Sequence, residues 1–492
     1  MESIKRLRIW LLAILAVSVV FSGCQKDEPE PEPEPEEEIA PELTRKINTF
    51  IKQGMEDVYY WNKFIPAIDI RYEFDSKAYF DKLLYTEDKW SFITDDVVAL
   101  EESYQGIEES YGYSLAYGRF VDASGAPTGE LFAIVEYVYP ETPASRAGFK
   151  RGDIITGIGG APITMNNYRN LTSTLSITVN KGEYTTSGIA PAGTVSMTAE
   201  KLKLDPVLVT KIIPHGGRTI GYLFYAQYID DFNTSLDGAF QYFKDNNITD
   251  LVLDVRYNPG GNTSAAQYLC SSVAPLNVVN SQLPLVYFKW NDFYQNYFQS
   301  RNDQGNLQVS FTASAKVKLG LNKIHILTGP GTASASELTI TGLEPYMSVT
   351  LIGDTTYGKY TASITVKPED LYNDLNAYKD FKNWGLQPIV LQYSNSQGVT
   401  NFKNGFAPKY LVGDKLLGAF PLGDINEPLL KKAIEDITGS PVASIKRAVA
   451  YPGFEVIDRG FSPFDKYRRN MPLNDVIDIK ILFNERTRSL QE

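Results

Sequence analysis

Between positions 205 and 438 short apolar runs alternate with segments of helical period, and no other feature restricts the fold of this chain as strongly. The runs at 220–226, 251–255, 324–327 and 349–352 have strand length, whereas 236–243 and the stretch after Ala335 have helical spacing. Strand–helix–strand order predicts an α/β core with parallel pairs, because parallel neighbours need a crossover between them. Reactive groups in such a core collect where the chain leaves the strand ends. At 492 residues the chain exceeds one ordinary core, so further domains are expected.

Three strand ends carry unusual residues. In the first, Leu253-Asp254-Val255-Arg256-Tyr257-Asn258-Pro259-Gly260-Gly261-Asn262, a strand breaks into Asn-Pro-Gly-Gly ahead of a helical stretch at 263–269. Adjacent glycines let backbone N–H groups face a ligand closely, which suits an oxyanion hole; the same turn also serves as a plain strand-to-helix link. The second, Gly331-Thr332-Ala333-Ser334-Ala335-Ser336-Glu337-Leu338, opens a helix. A serine there lies near unpaired N–H groups and the positive end of the helix dipole. Alone, it reads as an ordinary N-cap. The third, Gly353-Asp354-Thr355-Thr356-Tyr357-Gly358-Lys359-Tyr360, imitates a phosphate-binding G-x-x-x-x-G-K loop. Tyr360 stands where that loop needs Ser or Thr for magnesium, and 364–366 is expected to be a strand rather than a helix. Nucleotide binding is not expected.

The flanking segments differ in character. From Glu42 to about Asp96 the pattern is helical, with Leu43, Ile47, Phe50, Ile51 and Val58 on one face and Phe80, Leu83 and Leu84 marking a second helix. Trp61 and Trp90 are expected to pack between them, and no chemistry is expected there. From 109 to 204, strand candidates at 132–138 and 195–199 are separated by Gly, Pro and Ser turns. Among them, Pro143-Ala144-Ser145-Arg146-Ala147-Gly148-Phe149-Lys150-Arg151-Gly152-Asp153-Ile154-Ile155 resembles the PA-x-x-AG-x-x-x-GD-x-I signature of bacterial PDZ domains. That resemblance implies a module that takes up a peptide as an added strand and holds its terminal carboxylate with loop N–H groups. Tyr111, Gly112, Tyr113, Ser114 and Leu115 are the candidate peptide-binding loop; an ordinary strand with one Gly is the alternative.

Taken in this order, behind a PDZ-like segment, the three strand-end motifs resemble those of the C-terminal processing peptidases, or tail-specific proteases. The resemblance spans residues 42 to 440. It implies a multidomain α+β chain with a helical N-terminal domain (42–108), a PDZ-like β-rich domain (109–204) and an α/β, crotonase/ClpP-like serine protease core (205–447). A C-terminal extension (448–492) carries no motif, although Tyr451, Phe454, Phe461 and Phe464 suggest packing on the body. The family pattern makes Ser334, not Ser336, the nucleophile and places the general base 25 residues on, at Lys359. It draws oxyanion donors from Gly260 or Gly261 and from Ala335. Two positions depart from it: Ser363 replaces a Gln that often orients the lysine, and Tyr360 replaces a Gly. Thr356, Thr361 or Ser363 is the candidate substitute. These departures keep a second reading open, a catalytically impaired, protease-like lipoprotein that binds peptides or other ligands.

The dyad imposes its own requirement. A serine hydroxyl is a poor nucleophile until a neighbour takes its proton. A lysine can do so only if desolvation lowers its pKa from about 10.4 toward about 7–8. A triad would need histidine, yet His215 follows Pro214 in a turn and His325 sits within an apparent strand, both structural contexts. Cys270 reads as a buried thiol. Two histidines and two cysteines give little material for a metal site, and neither metal nor cofactor is expected.

The N-terminus suggests an address. Lys5, Arg6 and Arg8 precede a short apolar run at 9–21, the pattern of a signal peptide (1–23). Phe21-Ser22-Gly23-Cys24 resembles a bacterial lipobox, which implies lipidation of Cys24. Residues 25–38 hold eight acids and one lysine interleaved with prolines, so 24–41 is expected to be an extended linker. The implied location is the bacterial cell envelope, lipid-anchored at the outer membrane, periplasmic or surface-exposed. The expected partners are protein or peptide substrates with exposed C-termini, with membrane contact through the lipid anchor alone. A net charge of −12 argues against nucleic acid, whose phosphates need a cationic footprint.

Overall fold

Strands buried on both faces need continuous apolar runs, and in the computed structural model those runs assemble into one six-stranded sheet. The structure describes residues 38–443 and 451–460, with Leu473, Ile477, Ile479, Leu482 and Phe483. The expected signal peptide, Cys24, the acidic repeat to residue 37, Phe461 and Phe464 lie outside the described residues. The strand order is Val207–His215, Arg218–Tyr225, Asp250–Asp254, Lys323–Thr328, Ser348–Gly353 and Tyr410–Leu411. The first pair is antiparallel and the others parallel, as the alternation requires. Helices Asn233–Asp245, Thr263–Val273 and Ala335–Leu343 supply crossovers. Every residue of Ala335–Leu343 is buried, so the turn that precedes it is fixed from all sides.

Beside this sheet stands an antiparallel one, ordered Gln308–Ser310, Pro284–Trp290, Ile389–Asn395 and Thr361–Ser363. The strand expected at 364–366 is therefore displaced to Thr361–Ser363, and beyond it Val366 forms an isolated bridge to Leu386. The ladder ends where Ser363 faces Ile389, because the next partner, Pro388, has no N–H to donate.

The N-terminal helix Glu42–Val58 buries Ile47, Phe50, Ile51, Met55 and Val58. Leu43, expected on that face, stays 44% exposed in the first turn. The helix Ser76–Leu83 begins at Asp75, whose carboxylate accepts the N–H groups of Lys77 at 2.9 Å and Ala78 at 3.1 Å. The helical pattern stops before residue 96, because Phe92–Thr94 finds a strand partner in Gly385–Gln387. Trp61 packs among Tyr59, Tyr60 and Tyr85, but Trp90 leaves the helices and meets the Tyr360 ring at 5.8 Å.

The PDZ segment folds as its motif predicts. Thr142 caps the short helix Pro143–Arg146, Gly148 and Gly152 turn the chain at φ +75° and +88°, and the strand Ile154–Ile158 follows. That strand joins an antiparallel sheet with Tyr113–Val121, Pro127–Val138, Ser176–Thr185 and Gly188–Thr198. A late segment, Gly453–Gly460, adds an edge strand to Tyr113–Val121.

Candidate active site

Two strand ends are stitched together around Ser334. After Lys323–Thr328, Thr332 Oγ1 donates to Val255 O at 2.8 Å and the Ala333 N–H donates to Asn258 O at 3.1 Å. Ser334 then adopts φ +53°, a conformation rare for a residue with a side chain, immediately before the helix. Ser336 points elsewhere: its hydroxyl donates to Asn258 O at 3.1 Å and is buried. The two serines therefore differ in setting, Ser334 in the turn before the helix and Ser336 buried within it.

The glycine pair lies against this turn. A Cβ at Gly260 would stand 2.7 Å from Ser334 Cβ and 2.9 Å from Ala335 N, so glycine permits the contact. At Gly261 a Cβ would fall 1.9 Å from Tyr228 O. The Gly260 N–H, however, donates to its neighbour Asn258 Oδ1 at 2.9 Å. Of the expected oxyanion donors this one is spent locally, leaving Gly261 and Ala335, whose N–H begins the helix and has no acceptor within it.

Lys359 lies between the strand Ser348–Gly353 of one sheet and Thr361–Ser363 of the other, with no exposed surface. Burial pulls its ammonium pKa down to about 7, against the opposing charges of Asp88 and Glu337. Glu337 ties the lysine to the serine: its carboxylate accepts the N–H groups of Ser334 (3.0 Å), Gly358 (2.6 Å) and Lys359 (2.8 Å) and the Thr356 hydroxyl (2.6 Å). Burial pushes this carboxyl up to about 7, and the four donors oppose the rise. From the far side, Tyr393 Oη donates to Lys359 O at 2.9 Å and to Ser334 O at 3.4 Å. Thr356, a candidate substitute for the missing Gln, thus acts on Glu337. Because the strand Thr361–Ser363, and not a helix, follows Tyr360, the phosphate-loop alternative does not hold.

Sequence reasoning missed several contributors. Glu337 stood in the helix-opening motif with no role of its own, and nothing marked Tyr393. Asp88 lies in the segment expected to hold no chemistry, yet its charge acts on Lys359; its carboxylate is held by Tyr59 Oη at 2.7 Å and the Trp90 N–H at 2.9 Å. The turn is also braced by buried ion pairs. Arg256 meets Asp254 at 2.8 Å and Glu427 at 2.6 Å, and Arg151 of the PDZ segment meets Asp414 at 2.7 Å and donates to Tyr257 Oη at 2.6 Å. Asp254 and Arg256 stood in the quoted motif, but their partners lie too far along the chain to pair by inspection.

Other candidates fall elsewhere. His325 pairs with Asp436 at 2.9 Å, and burial pushes the Cys270 thiol up to about 12. In the PDZ loop the Tyr111, Tyr113 and Leu115 side chains are core, and the Gly112 N–H donates to Ser110 Oγ at 3.0 Å. Among the described residues no cluster of His, Cys, Asp and Glu forms a metal site, and no helix is long and apolar enough to cross a membrane.

An α/β core joined to a PDZ-type sheet and a helical N-terminal segment is the architecture of a PDZ-bearing serine-type peptidase. Residues 219–412 match Peptidase family S41, 46–92 its Peptidase S41 N-terminal domain and 134–175 the PDZ domain. Carboxy-terminal processing protease CtpB of Bacillus subtilis (strain 168) is 24% identical over 269 residues, 52% of this chain and 52% of its own. A carboxyl-terminal-processing protease of Synechocystis is 24% identical over 368 residues, 69% of this chain and 76% of its own. The chain thus spans about half the length of the first relative. A crystal structure of a Bacteroides fragilis NCTC 9343 protein assigned to the S41 proteases superposes with TM-score 0.64 at 27% identity, covering 79% of this chain and 97% of that one.

Proposed function

We propose that this chain is a serine endopeptidase in which Ser334 attacks the scissile carbonyl and Lys359 takes the serine proton. The observation that carries this reading is the complete burial of Lys359 beside the carboxylate that also holds Ser334. The neutral amine accepts the hydroxyl proton as the Ser334 oxygen bonds to carbon, and the developing oxyanion meets the Gly261 and Ala335 N–H groups. The resulting ammonium returns the proton to the departing amine, leaving an ester on Ser334. Water, deprotonated by the same lysine, then releases the acid and restores the serine. Substrates with exposed C-termini are recognised through the PDZ domain, and lipidation at Cys24 holds the enzyme in the cell envelope.

A serine-reactive phosphonate tests this directly. The full chain is expected to gain one adduct, mapped by mass spectrometry to the peptide containing Ser334, at a rate that rises with pH through about 7. Absence of an adduct on the folded chain would favour the non-cleaving, ligand-binding reading. Gly260→Ala gives a second measurement, because its Cβ would press on Ser334 Cβ at 2.7 Å from a φ of +109°. Labelling should slow by about 10²-fold, the usual cost of a misplacement of about 1 Å. Circular dichroism should stay native; a normal rate would show that the turn does not set the serine.

A further inference from the structure

The edge of the PDZ-type sheet is not open. Gly453–Gly460 lies antiparallel along Tyr113–Val121, with Gly453 opposite Val121, Val456 opposite Gly118 and Gly460 opposite Leu115. The other side of Tyr113–Val121 is paired with Pro127–Val138, so this segment fills the edge where an added strand would sit. Its polarity is also that of a ligand. The segment runs toward the Tyr111-Gly112 turn that precedes this strand, as an incoming tail does when its carboxylate end meets such a turn. We infer that Gly453–Gly460 is an intramolecular ligand of the PDZ domain, seated on the edge that receives substrate tails, which bind by displacing it. This rests on the tail-reading part of the function proposed above.

The contacts suit an occupant that is specific yet replaceable. A Cβ at Gly118 would lie 2.0 Å from Glu455 O and one at Gly460 2.7 Å from Tyr117 Oη, so the two strands approach through glycine. The Phe454 ring meets Phe132 at 5.0 Å, and Asp458 accepts the Tyr168 hydroxyl at 2.7 Å. Its ion pairs Arg119–Glu455 (3.4 Å) and Arg169–Asp458 (3.7 Å) are solvent-exposed and therefore hold it weakly. Val456 and Ile457 remain 36% and 38% exposed, so little apolar area anchors the middle of the segment. Arg459 reaches furthest inward: it pairs with buried Glu136 and lies over the Tyr257 ring at 5.4 Å. Tyr257 lies three residues before Gly260, which packs against Ser334, so the occupant of the edge contacts the turn that leads to the candidate active site.

A reversible lock tests the proposal in the full chain. Arg119 and Glu455 are direct cross-strand partners. Cysteines at opposed positions stand about 4.5–5.5 Å apart at Cβ, close enough to bridge with a small shift. The R119C/E455C chain is oxidised with glutathione disulfide and titrated against a fluorescein-labelled peptide with a free, apolar C-terminus. Dithiothreitol then releases the lock. The reduced form is expected to bind the peptide at least about tenfold more tightly than the oxidised form, because freeing the edge raises the fraction competent to bind. Equal affinity in the two states, no binding in either included, overturns the proposal. Failure of the cystine to form in the folded chain also overturns it. Phosphonate labelling of the same samples reports the dyad separately. A peptide amide that binds the reduced form as well as the acid does, yet still loses to the lock, would support displacement while removing the carboxylate from tail recognition.

Discussion

Ser334→Ala is expected to abolish cleavage of a flexible protein substrate, by about 10⁴-fold or more, whereas Ser336→Ala keeps most of the activity. The two residues stand two apart at one helix start but do different work. Ser334 occupies the strained turn against Gly260, whereas the Ser336 hydroxyl is tied to Asn258 O at 3.1 Å. Losing that hydrogen bond costs about 0.5–1.5 kcal/mol of stability and slightly loosens the glycine turn. Initial rates of both variants, with thermal melts as a folding control, check the assignment. Comparable loss in both, with both folded, would refute it.

Lys359→Arg is expected to be inactive although it keeps the positive charge, since guanidinium does not give up its proton at any working pH. In the parent chain kcat/KM should rise with pH and level off above about 7, where burial places the lysine. Stability has a matching sign. The folded lysine titrates near 7 and the unfolded one near 10.5, so between those values the unfolded chain binds more protons and stability rises with pH. Holding this lysine in the core at neutral pH costs about 4 kcal/mol, at about 1.36 kcal/mol per unit. Lys359→Met removes that cost and should melt higher than the parent while remaining inactive, separating lost chemistry from lost folding. An active Arg variant would sink the dyad.

Much of this was open to a reader of the sequence. The apolar runs at 220–226, 251–255, 324–327 and 349–352 became strands of one sheet, because a strand buried on both faces leaves a continuous apolar run. The PDZ motif folded as helix, glycine turn and strand, because its Pro, Gly and Asp constrain the backbone locally. The family resemblance, through its 25-residue spacing, favoured Ser334 over Ser336 and paired it with Lys359, and the tyrosine after Lys359 argued against a phosphate loop.

What lay beyond the sequence shares one physical cause. Glu337 had no role in the sequence reading; that it joins Ser334, Gly358 and Lys359 depends on two strand ends meeting in space. Asp88, Trp90 and Tyr393 reach the site from other elements, and Asp414 and Glu427 find Arg151 and Arg256 across the chain. Gly260 read as an oxyanion donor until folding turned the Asn258 side chain back onto its N–H. The segment 453–460 carries no motif, since a strand added to an edge is held mainly by backbone hydrogen bonds that almost any sequence can make. Periodicity and backbone-restricting residues act over a few positions, so the sequence alone determined the elements, while Ser334 and Lys359 stood out only through the family resemblance. The burial that lowers the lysine's pKa and the filling of the PDZ edge are sums over distant neighbours, and only the tertiary structure decided them.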